Sequence, residues 1–390
     1  MTARPFVGRV LRHSFVHLCD LRHFAHPYES FPMAHPIRPR IFARSMPSTP
    51  ALSLDQIKER LSRVPQESAS SFDFLGADLF DPTLSSTEKV EQRAKSFHAA
   101  QKSTLTARLG HLKAEERKLI EAALGKGQYA GIHAQHQMHE KIAALHEESP
   151  WMAPAAVAVM QQMQRATIAG PAPFTMPPLL LVGKPGIGKS QWARALAETF
   201  TVPEITVDIG GSGGGIFALS GVERGWGSAS AGRLVREMLS RHIVNPLVIL
   251  DEVDKAPTDI GTSKGTSLPG LFEVLKSLIE PSTARAWTCP FYQLPFDMSR
   301  VNWVMTTNSI DRMPTAFLDR CKVIHLDDPK PEHLLMVARR RLTTLVDPED
   351  IEPLTALIAR QLDGPRRHSL RSLGRIIDKI SAGLNAPRLI

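Results

Sequence analysis

The feature that most constrains this chain is a glycine-rich run between an apolar segment and a helical one. Residues 183–190 are Gly-Lys-Pro-Gly-Ile-Gly-Lys-Ser, preceded by Leu-Leu-Leu-Val at 179–182 and followed by a helical segment at 191–200. The glycines allow a tight turn whose backbone N–H groups face an anion, and the next helix directs its positive end at the same place. The run therefore predicts a buried strand, a phosphate-binding loop of the Walker A type, and a helix.

This loop is expected to bind a nucleoside triphosphate. Lys189 should reach the β and γ phosphates, and the Ser190 hydroxyl should ligate Mg²⁺, which prefers hard oxygen ligands. ATP and Mg²⁺ are the cofactors that we expect. The residues expected to hold the nucleotide are Gly183, Lys184, Pro185, Gly186, Ile187, Gly188, Lys189 and Ser190.

Two carboxylates follow a second apolar strand. Leu-Val-Ile-Leu at 247–250 leads into Asp251 and Glu252, and open parallel sheets bind ligands at such carboxyl ends. We expect Asp251 to hold Mg²⁺ through water and Glu252 to act as the general base on the attacking water. A small-metabolite kinase would share the loop but would not need the second carboxylate, so the pair favours ATP hydrolysis.

A third strand and a later short helix each end in a polar candidate. Asn308 follows the strand expected at 301–306, and its amide could orient the attacking water; an ordinary turn residue is the alternative. Arg320 lies in Leu-Asp-Arg-Cys at 318–321. Its guanidinium could stabilise transition-state charge in a neighbouring subunit, and the alternative is an internal salt bridge with Asp319.

The apolar segments predict an α/β fold. Between 150 and 328 short apolar strands alternate with helices, which is typical of a parallel sheet covered on both faces. Three helical segments at 331–346, 350–362 and 368–383 predict an all-helical lid over 329–386. The five strands are expected at 179–182, 205–209, 247–250, 301–306 and 323–326.

The region before the α/β domain is predicted to be helical. Residues 51–86 suggest a short helix and a linker. Residues 87–149 form a helical extension with a Gly-Lys-Gly break at 125–127, for which we favour a solvated hairpin over a substrate-binding surface. Apolar residues recur in it at helical spacing, among them Leu105, Leu109 and Leu112.

The net charge of +8 does not indicate nucleic acid, because most of it lies in the N-terminal head. Residues 1–45 contain seven arginines but only Asp20 and Glu29 as acids. The head carries +5 and the other 345 residues +3, too little for a basic nucleic-acid-binding face. We expect residues 1–50 to be disordered or to precede the true start; a targeting peptide is the less favoured alternative.

Cysteine spacing and hydropathy exclude further classes of protein. Cys19, Cys289 and Cys321 are too widely separated to build a zinc knuckle or a disulfide framework alone. No apolar run approaches the roughly 20 residues needed to cross a bilayer. We therefore expect a cytoplasmic protein without a membrane span.

Taken together, these motifs resemble the AAA+ superfamily, and in particular the ATPase module of Lon proteases, over about 175–383. The most specific phrases are Asn-Pro-Leu at 245–247, which leads into Leu-Asp-Glu-Val-Asp-Lys, and Leu-Asp-Arg at 318–320. By that resemblance Asn308 looks like sensor 1 and Arg320 like the arginine finger. Arg371 looks like the sensor 2 arginine, with nearby rivals at Arg366, Arg367 and Arg375.

The resemblance also implies a pore loop and a ring. Arg-Gly-Trp-Gly at 224–227 occupies the place where Lon-like motors carry an aromatic pore loop. Trp226, with Gly227 beside it, would grip a polypeptide; a packed surface turn is the alternative. The glycines between 210 and 215 suggest a mobile loop before it. We expect a homo-oligomer, a hexameric ring, that acts on a protein client or a separate partner protein.

Two departures from the Lon pattern shape the expected function. The chain as given ends at Ile390, before the place of a serine–lysine peptidase domain, so we expect no proteolysis of its own. The adenine-pocket phrase is not matched, and Pro150-Trp151-Met152 is the nearest candidate. We expect an ATPase that remodels or translocates a protein client. A nucleic-acid-linked switch and a nucleotide-gated scaffold are the alternatives.

Overall fold

The computed structural model describes residues 39–44, 46, 53–62, 86–210, 215–256, 260–261, 267–268, 270–363 and 368–384. Most of the basic head and most of the linker expected before residue 86 lie outside the described residues. So do Arg366, Arg367 and residues 211–214 of the glycine loop that was expected to be mobile. The described residues all belong to one unit, Pro39–Ile390.

The central feature of this unit is a parallel sheet. Its five strands lie in the order β13-β3-β12-β7-β4, and every neighbouring pair is parallel. The remaining strands form short antiparallel pairs. In chain order the strands are β1 (Ile132–His133), β2 (Ala172–Pro173), β3 (Leu179–Val182), β4 (Glu204–Asp208), β5 (Gly221–Val222), β6 (Ser230–Ala231), β7 (Leu247–Asp251), β8 (Ile260–Gly261), β9 (Ser267–Leu268), β10 (Trp287–Thr288), β11 (Pro295–Phe296), β12 (Asn302–Thr307) and β13 (Lys322–His325).

Helices lie before, between and after these strands. In chain order they are α1 (Leu54–Ser62), α2 (Ser86–Leu109), α3 (Ala114–Ala123), α4 (Gln135–Glu148), α5 (Ala153–Ala166), α6 (Lys189–Thr199), α7 (Gly215–Ser220), α8 (Arg233–Arg241), α9 (Leu271–Ile279), α10 (Pro281–Ala284), α11 (Thr315–Leu318), α12 (Pro331–Leu342), α13 (Pro348–Leu362) and α14 (Leu370–Leu384). Short 3-10 turns at Pro150–Met152 and Val253–Lys255 complete the described helical structure.

The sheet is buried on both faces because successive side chains of each strand point to opposite sides. In β3, Leu180 and Val182 join the hydrophobic cluster that α8 and α9 cover. Leu179 and Leu181 join the opposite cluster, which α5 and α6 cover. This double coverage explains why the central strands are almost uniformly apolar.

The predicted fold class is confirmed: an α/β P-loop fold with a five-stranded parallel sheet, a helical lid and an N-terminal helical extension. β3 has the predicted bounds, but β4 and β13 each begin and end one residue before them. The exposed residues Glu204 and Lys322 pair with Leu247 and Leu179 in the ladder. A search for apolar runs could not include such polar edge residues.

The solvated hairpin expected in the helical extension is wrong from about residue 105 onward. α2 ends at Leu109, and Leu112 lies in the turn that follows rather than on the helix. Leu109, Ile120 and Leu124 are all at most 1% exposed and join the same cluster as one face of the sheet. The extension therefore packs against the α/β core instead of standing in solvent.

The three C-terminal helices form a small cluster of their own. Leu342 of α12, Ile358 of α13 and Leu373 of α14 are buried together. α13 begins two residues before the predicted bound, because Pro348 occupies the first helical turn, where proline is well tolerated. The division of the chain into domains at these boundaries stays a prediction. Within the described residues, no helix has the length and apolar character to span a membrane.

Candidate nucleotide-binding site

Three strands deliver the predicted site residues to one edge of the sheet. The phosphate-binding loop follows β3, Asp251 ends β7, and Asn308 directly follows β12. Because β12 lies between β3 and β7 and all three are parallel, their carboxyl ends meet at the same edge. The order of the strands, which the sequence does not reveal, is what brings the three segments together.

The loop has the backbone shape of a phosphate cradle. Gly186 and Gly188 have φ angles of +83° and +93°, a left-handed region that favours glycine. A Cβ at Gly188 would lie 2.8 Å from Leu370 Cδ1 of α14. The Leu370 N–H also donates to the Gly186 carbonyl at 3.0 Å. A side chain at either glycine would thus meet strain or the lid, and a bare backbone followed by a helix N-terminus fits a phosphate.

Lys189 is held inside the loop that it belongs to. It is only 7% exposed, and its ammonium donates to the carbonyls of Gly183 and Lys184 at 2.5 and 3.1 Å. A third contact, at 3.2 Å, reaches the Asn308 side-chain oxygen. Lys189 and Asn308, 119 residues apart in sequence, therefore contact each other at this point.

The two expected metal-binding oxygens are in direct contact. Ser190 Oγ donates to Asp251 Oδ1 at 2.5 Å, and Thr306 Oγ1 donates to the same carboxylate oxygen at 3.0 Å. The Arg194 guanidinium lies 3.7 Å from the other oxygen of Asp251. A hydroxyl beside a carboxylate at a phosphate cradle is the donor set that Mg²⁺ prefers, so these residues fit that ion.

Glu252 has an unusual backbone. Its φ of 56° and ψ of 48° place a non-glycine residue in the left-handed region, which costs about 1–3 kcal/mol. Its amide N–H donates to Thr306 Oγ1 at 3.1 Å. Its carboxylate pairs with Lys255, and this hydrogen bond raises the pKa of Lys255, although burial acts in the opposite direction. The neighbouring strand thus fixes the residue that carries the expected general base.

Gly210 was expected only as part of a mobile loop, but it lies directly beside the Glu252 side chain. A Cβ at Gly210 would lie 2.6 Å from Glu252 Oε2 and 3.0 Å from Lys255 Cδ. The backbone N–H of the preceding residue, Ile209, donates to the Asp251 carbonyl at 3.0 Å. This hydrogen bond keeps the segment beside the end of β7. A side chain at this position would therefore push the Glu252 carboxylate from its observed position.

These residues surround a cavity of about 370 Å³. Arg371 lines it, whereas Arg375 does not; of the other residues predicted for the site, Gly183, Lys184, Ile187 and Asp251 are not among the lining residues. Arg341 of α12 and Thr306 are lining residues that sequence reasoning missed; neither lies in a motif. The lining residues are Pro185, Gly186, Gly188, Lys189, Ser190, Gln191, Glu252, Thr306, Thr307, Asn308, Arg341, Leu370, Arg371 and Gly374.

Arg320 does not join this cavity. It precedes β13, whose first residue, Lys322, pairs with the first residue of β3. The arginine therefore lies at the amino edge of the sheet, opposite the loop that follows β3. The salt bridge with Asp319 considered from the sequence is not the one observed, because Arg320 Nε lies 2.8 Å from Glu280 Oε2.

Trp226 is also outside the cavity. It lies in the turn between the antiparallel strands β5 and β6 and is 43% exposed. The turn is anchored by Arg224, whose guanidinium contacts Glu116 of α3 at 2.7 Å and covers the Phe291 ring at 4.6 Å. Burial opposes ionisation of Glu116, but the Lys113 N–H and Arg224 together hold its pKa below the usual value.

Trp151 belongs to the Pro-Trp-Met phrase that was considered for the adenine pocket. It contacts the phosphate-binding loop instead. Its indole N–H donates to the Ile187 carbonyl at 2.8 Å, and its ring lies 5.6 Å from the ring of His333 on α12. Burial lowers the pKa of His333, which favours the neutral ring at this contact. Trp151 thus links the loop to the lid, and it is not among the described residues that line the cavity.

Comparison with known proteins agrees with this geometry. Residues 179–327 match the family described as "ATPase family associated with various cellular activities (AAA)". The matched range begins at β3 and ends just after β13, so it covers the whole parallel sheet. The fold and the site thus define an AAA ATPase domain, a nucleotide-binding domain.

Several Lon proteases are similar to this chain. Lon protease 4 of Sorangium cellulosum is 29% identical over 233 residues, 57% of this chain and 27% of that protein. The peroxisomal Lon protease homolog 2 of Zea mays is 31% identical over 166 residues, 43% of this chain and 18% of that protein. The Lon protease of Aquifex aeolicus is 29% identical over 209 residues, 52% of this chain and 25% of that protein.

The shared region is therefore a limited part of each relative. The chain spans about a quarter or less of the length of these Lon proteases. Over about half of this chain the similarity is to their ATPase region. Residues 179–327 of this chain therefore form an AAA domain that is similar to the ATPase region of Lon proteases.

Proposed function

We propose that this chain binds ATP with Mg²⁺ and hydrolyses it, and that it uses the energy as a homo-oligomeric ring to remodel or translocate a protein client. The observation that carries the proposal is the meeting of the phosphate loop, Glu252, Asn308 and Arg371 around one cavity. Neither a simple nucleotide carrier nor a scaffold requires a glutamate with a strained backbone beside the phosphate-binding loop.

The contacts suggest a role for each residue in hydrolysis. The loop amides and Lys189 bind the phosphates, and Ser190 and Asp251 would hold Mg²⁺, which when bound offsets phosphate charge and polarises the γ-phosphoryl group. Asn308, already within 3.2 Å of Lys189, orients the attacking water. Arg371 lies on the lid and contacts the phosphates when the lid closes.

Glu252 accepts the proton of the attacking water in this proposal. Its carboxylate is paired with Lys255 on the surface side, so it has to exchange the ammonium for the water before it can act. The left-handed backbone and the Thr306 contact keep the residue at the cavity during that exchange. General-base catalysis of this kind contributes typically about 10²–10⁴-fold.

The ring is proposed because Arg320 cannot complete the cavity of its own chain. β3 has 4 residues, whose first and last Cα atoms are roughly 10 Å apart. Arg320 lies at the amino end and the loop at the carboxyl end. A second copy that places its Arg320 against this cavity would supply the missing cation.

The client is proposed to be a polypeptide because Trp226 is presented outward on an anchored turn. The exposed indole is flanked by Gly225 and Gly227, and a Cβ on either glycine would meet nothing within 4 Å. An exposed aromatic ring on an unobstructed turn can grip side chains of any sequence. The proposal for Trp226 also uses the likeness to Lon ATPase modules.

The Glu252→Gln variant of the full chain tests the proposed function most broadly. It should bind ATP as tightly as the wild type, hydrolyse it about 10²-fold more slowly, and retain protein clients in a pull-down with ATP. Glu237→Gln, on the surface of α8, is the matched control and should keep wild-type turnover. Wild-type hydrolysis by Glu252→Gln would contradict the assignment of the base.

A second experiment tests the client. Trp226→Ala should lose the stimulation of ATPase by an unfolded protein, while Trp226→Phe should keep part of it. Stimulation by DNA in place of an unfolded protein would support the nucleic-acid-linked switch instead. Full stimulation of Trp226→Ala by the unfolded protein would contradict the pore-loop assignment.

A further inference from the structure

The guanidinium of Arg320 is held by two specific contacts. Its Nε lies 2.8 Å from Glu280 Oε2, and its Nη1 donates to the Ala316 carbonyl at 2.5 Å. An arginine has five N–H donors in a fixed planar fork. These contacts use two of the five donors, one on Nε and one on Nη1, and no residue that the structure describes contacts the other three.

The two residues meet because their helices are packed together. Glu280 directly follows α9, and Arg320 follows α11 after one residue. Phe272 of α9 and Phe317 of α11 are buried, with ring centroids 4.9 Å apart. This aromatic contact fixes the two helices, while the ion pair lies at their accessible end with side chains 33% and 35% exposed.

We propose that Glu280 is a positioning residue for Arg320: it holds the guanidinium so that its free donors face the nucleotide of a neighbouring subunit. The inference rests on the proposed function, in which Arg320 acts on that neighbour. A long side chain on a surface adopts many rotamers. If the Arg320 side chain is already fixed before the subunits meet, it loses less conformational entropy on reaching the transition state.

The expected magnitudes separate positioning from stabilisation. A solvent-exposed ion pair contributes only about 0–1 kcal/mol to folding, so losing Glu280 should leave the protein folded. A misplacement of about 1 Å in a catalytic group can lower a rate by roughly 10²-fold. Removal of Glu280 should therefore affect turnover much more than stability.

The first experiment compares Glu280→Ala with Glu273→Ala in the full chain. Glu273 lies on α9 as well and pairs with Lys276 at 2.6 Å, so the control removes a similar paired carboxylate. Glu280→Ala should lower kcat for ATP about 10-fold with unchanged KM and unchanged mass of the assembly. Glu280→Gln keeps an acceptor oxygen and should lose less. Wild-type turnover by Glu280→Ala would overturn the inference.

Mixing subunits gives a result that a merely structural defect cannot. Glu252→Gln subunits barely hydrolyse ATP but present an intact Arg320 and Glu280 to a neighbour. Adding them in excess to Glu280→Ala subunits should raise the rate per Glu280→Ala subunit severalfold, because its own cavity is intact. A deficient Glu280→Ala that is not restored by mixing would overturn the inference.

Arg320→Ala, measured in parallel, separates this inference from the proposed function. It should be deficient alone and restored by Glu252→Gln subunits in the same way. If Arg320→Ala is deficient and restored while Glu280→Ala is fully active, only the role of Glu280 fails. If Arg320→Ala itself keeps the wild-type rate, the action of Arg320 on a neighbour fails, and the role of Glu280 fails with it.

Discussion

The two edges of the central sheet differ in how complete they are. At the carboxyl edge, three strands bring together two sets of hydrogen bonds: Lys189 donates to Asn308, and the hydroxyls of Ser190 and Thr306 donate to Asp251. At the amino edge, Arg320 and Glu280 form one partly exposed pair that does not line the nucleotide cavity. In the proposed function, one copy therefore holds most of a hydrolytic site and presents Arg320 to the site of another copy.

Arg320→Ala should produce the largest effect and tests the amino edge. An arginine that stabilises transition-state charge across an interface is worth about 10³–10⁵ in rate, so we expect kcat to fall at least about 10³-fold with little change in ATP affinity. Arg371→Ala, at the carboxyl edge, should instead weaken ATP affinity. Steady-state kinetics and equilibrium binding distinguish the two. If both variants lost ATP affinity equally, Arg320 and Arg371 would not have the different roles assigned to the two edges of the sheet.

Lys189→Ala should produce the next largest effect and tests the carboxyl edge. Truncating a buried, hydrogen-bonded charge costs about 2–5 kcal/mol, or roughly 30-fold to several thousandfold in affinity. Binding of labelled ATP to the full chain measures it. Lys184→Ala is the matched comparison, since its ammonium is 66% exposed and pairs with Asp328; it should lose much less. Similar losses would contradict the central position of Lys189.

Gly210→Ala should have an intermediate effect. The added methyl group must displace the Glu252 carboxylate, 2.6 Å from its position. Since the end of a flexible side chain can move, the protein should fold, but we expect turnover to fall about 10-fold. Gly227→Ala is the control, because a Cβ there meets nothing within 4 Å. Wild-type turnover by Gly210→Ala would show that Glu252 does not need its observed position.

Arg224→Gln should have the smallest effect. Arg224 lies away from both edges of the sheet, and its replacement should change the free energy of unfolding. Its removal leaves Glu116, 17% exposed, without its cation, at a cost of about 1–3 kcal/mol. Arg241→Gln breaks a pair with side chains 54% and 32% exposed and should change stability by less than about 1 kcal/mol. Denaturant unfolding measures both.

Glu116, the ion-pair partner of Arg224, provides the control for the destabilisation by Arg224→Gln. Adding Glu116→Gln to Arg224→Gln removes the carboxylate that was left behind, so the double variant should be destabilised by less than the sum of the single variants. Additive effects would show that Arg224 stabilises the turn through Phe291 alone.

The parallel sheet and the phosphate loop were predictable because local chemistry determines them. Leu179–Val182 is apolar on both faces, and Gly186 and Gly188 adopt the positive φ angles that the motif needs. Asp251 and Asn308 could be placed for the same reason, since each follows a recognisable buried strand. What periodicity could not supply was the order of the strands that brings these segments together.

Contacts between distant segments were not predictable from the sequence. Glu280 lies 40 positions before Arg320 and meets it only because Phe272 packs on Phe317; the sequence offered the adjacent Asp319 instead. Gly210 approaches Glu252 only because β4 lies beside β7. The helical extension was expected in solvent, because nothing in its spacing shows which surface covers Leu109.

The central claim is that one copy of the chain cannot complete its own catalytic site. The most direct test is the ATPase rate per subunit of the full chain across a concentration series, with the mass distribution measured at each concentration. The account predicts a low rate for the monomer and a steep rise as assemblies form, a rise that Arg320→Ala abolishes. A constant rate per subunit, measured where the chain is monomeric, would contradict it.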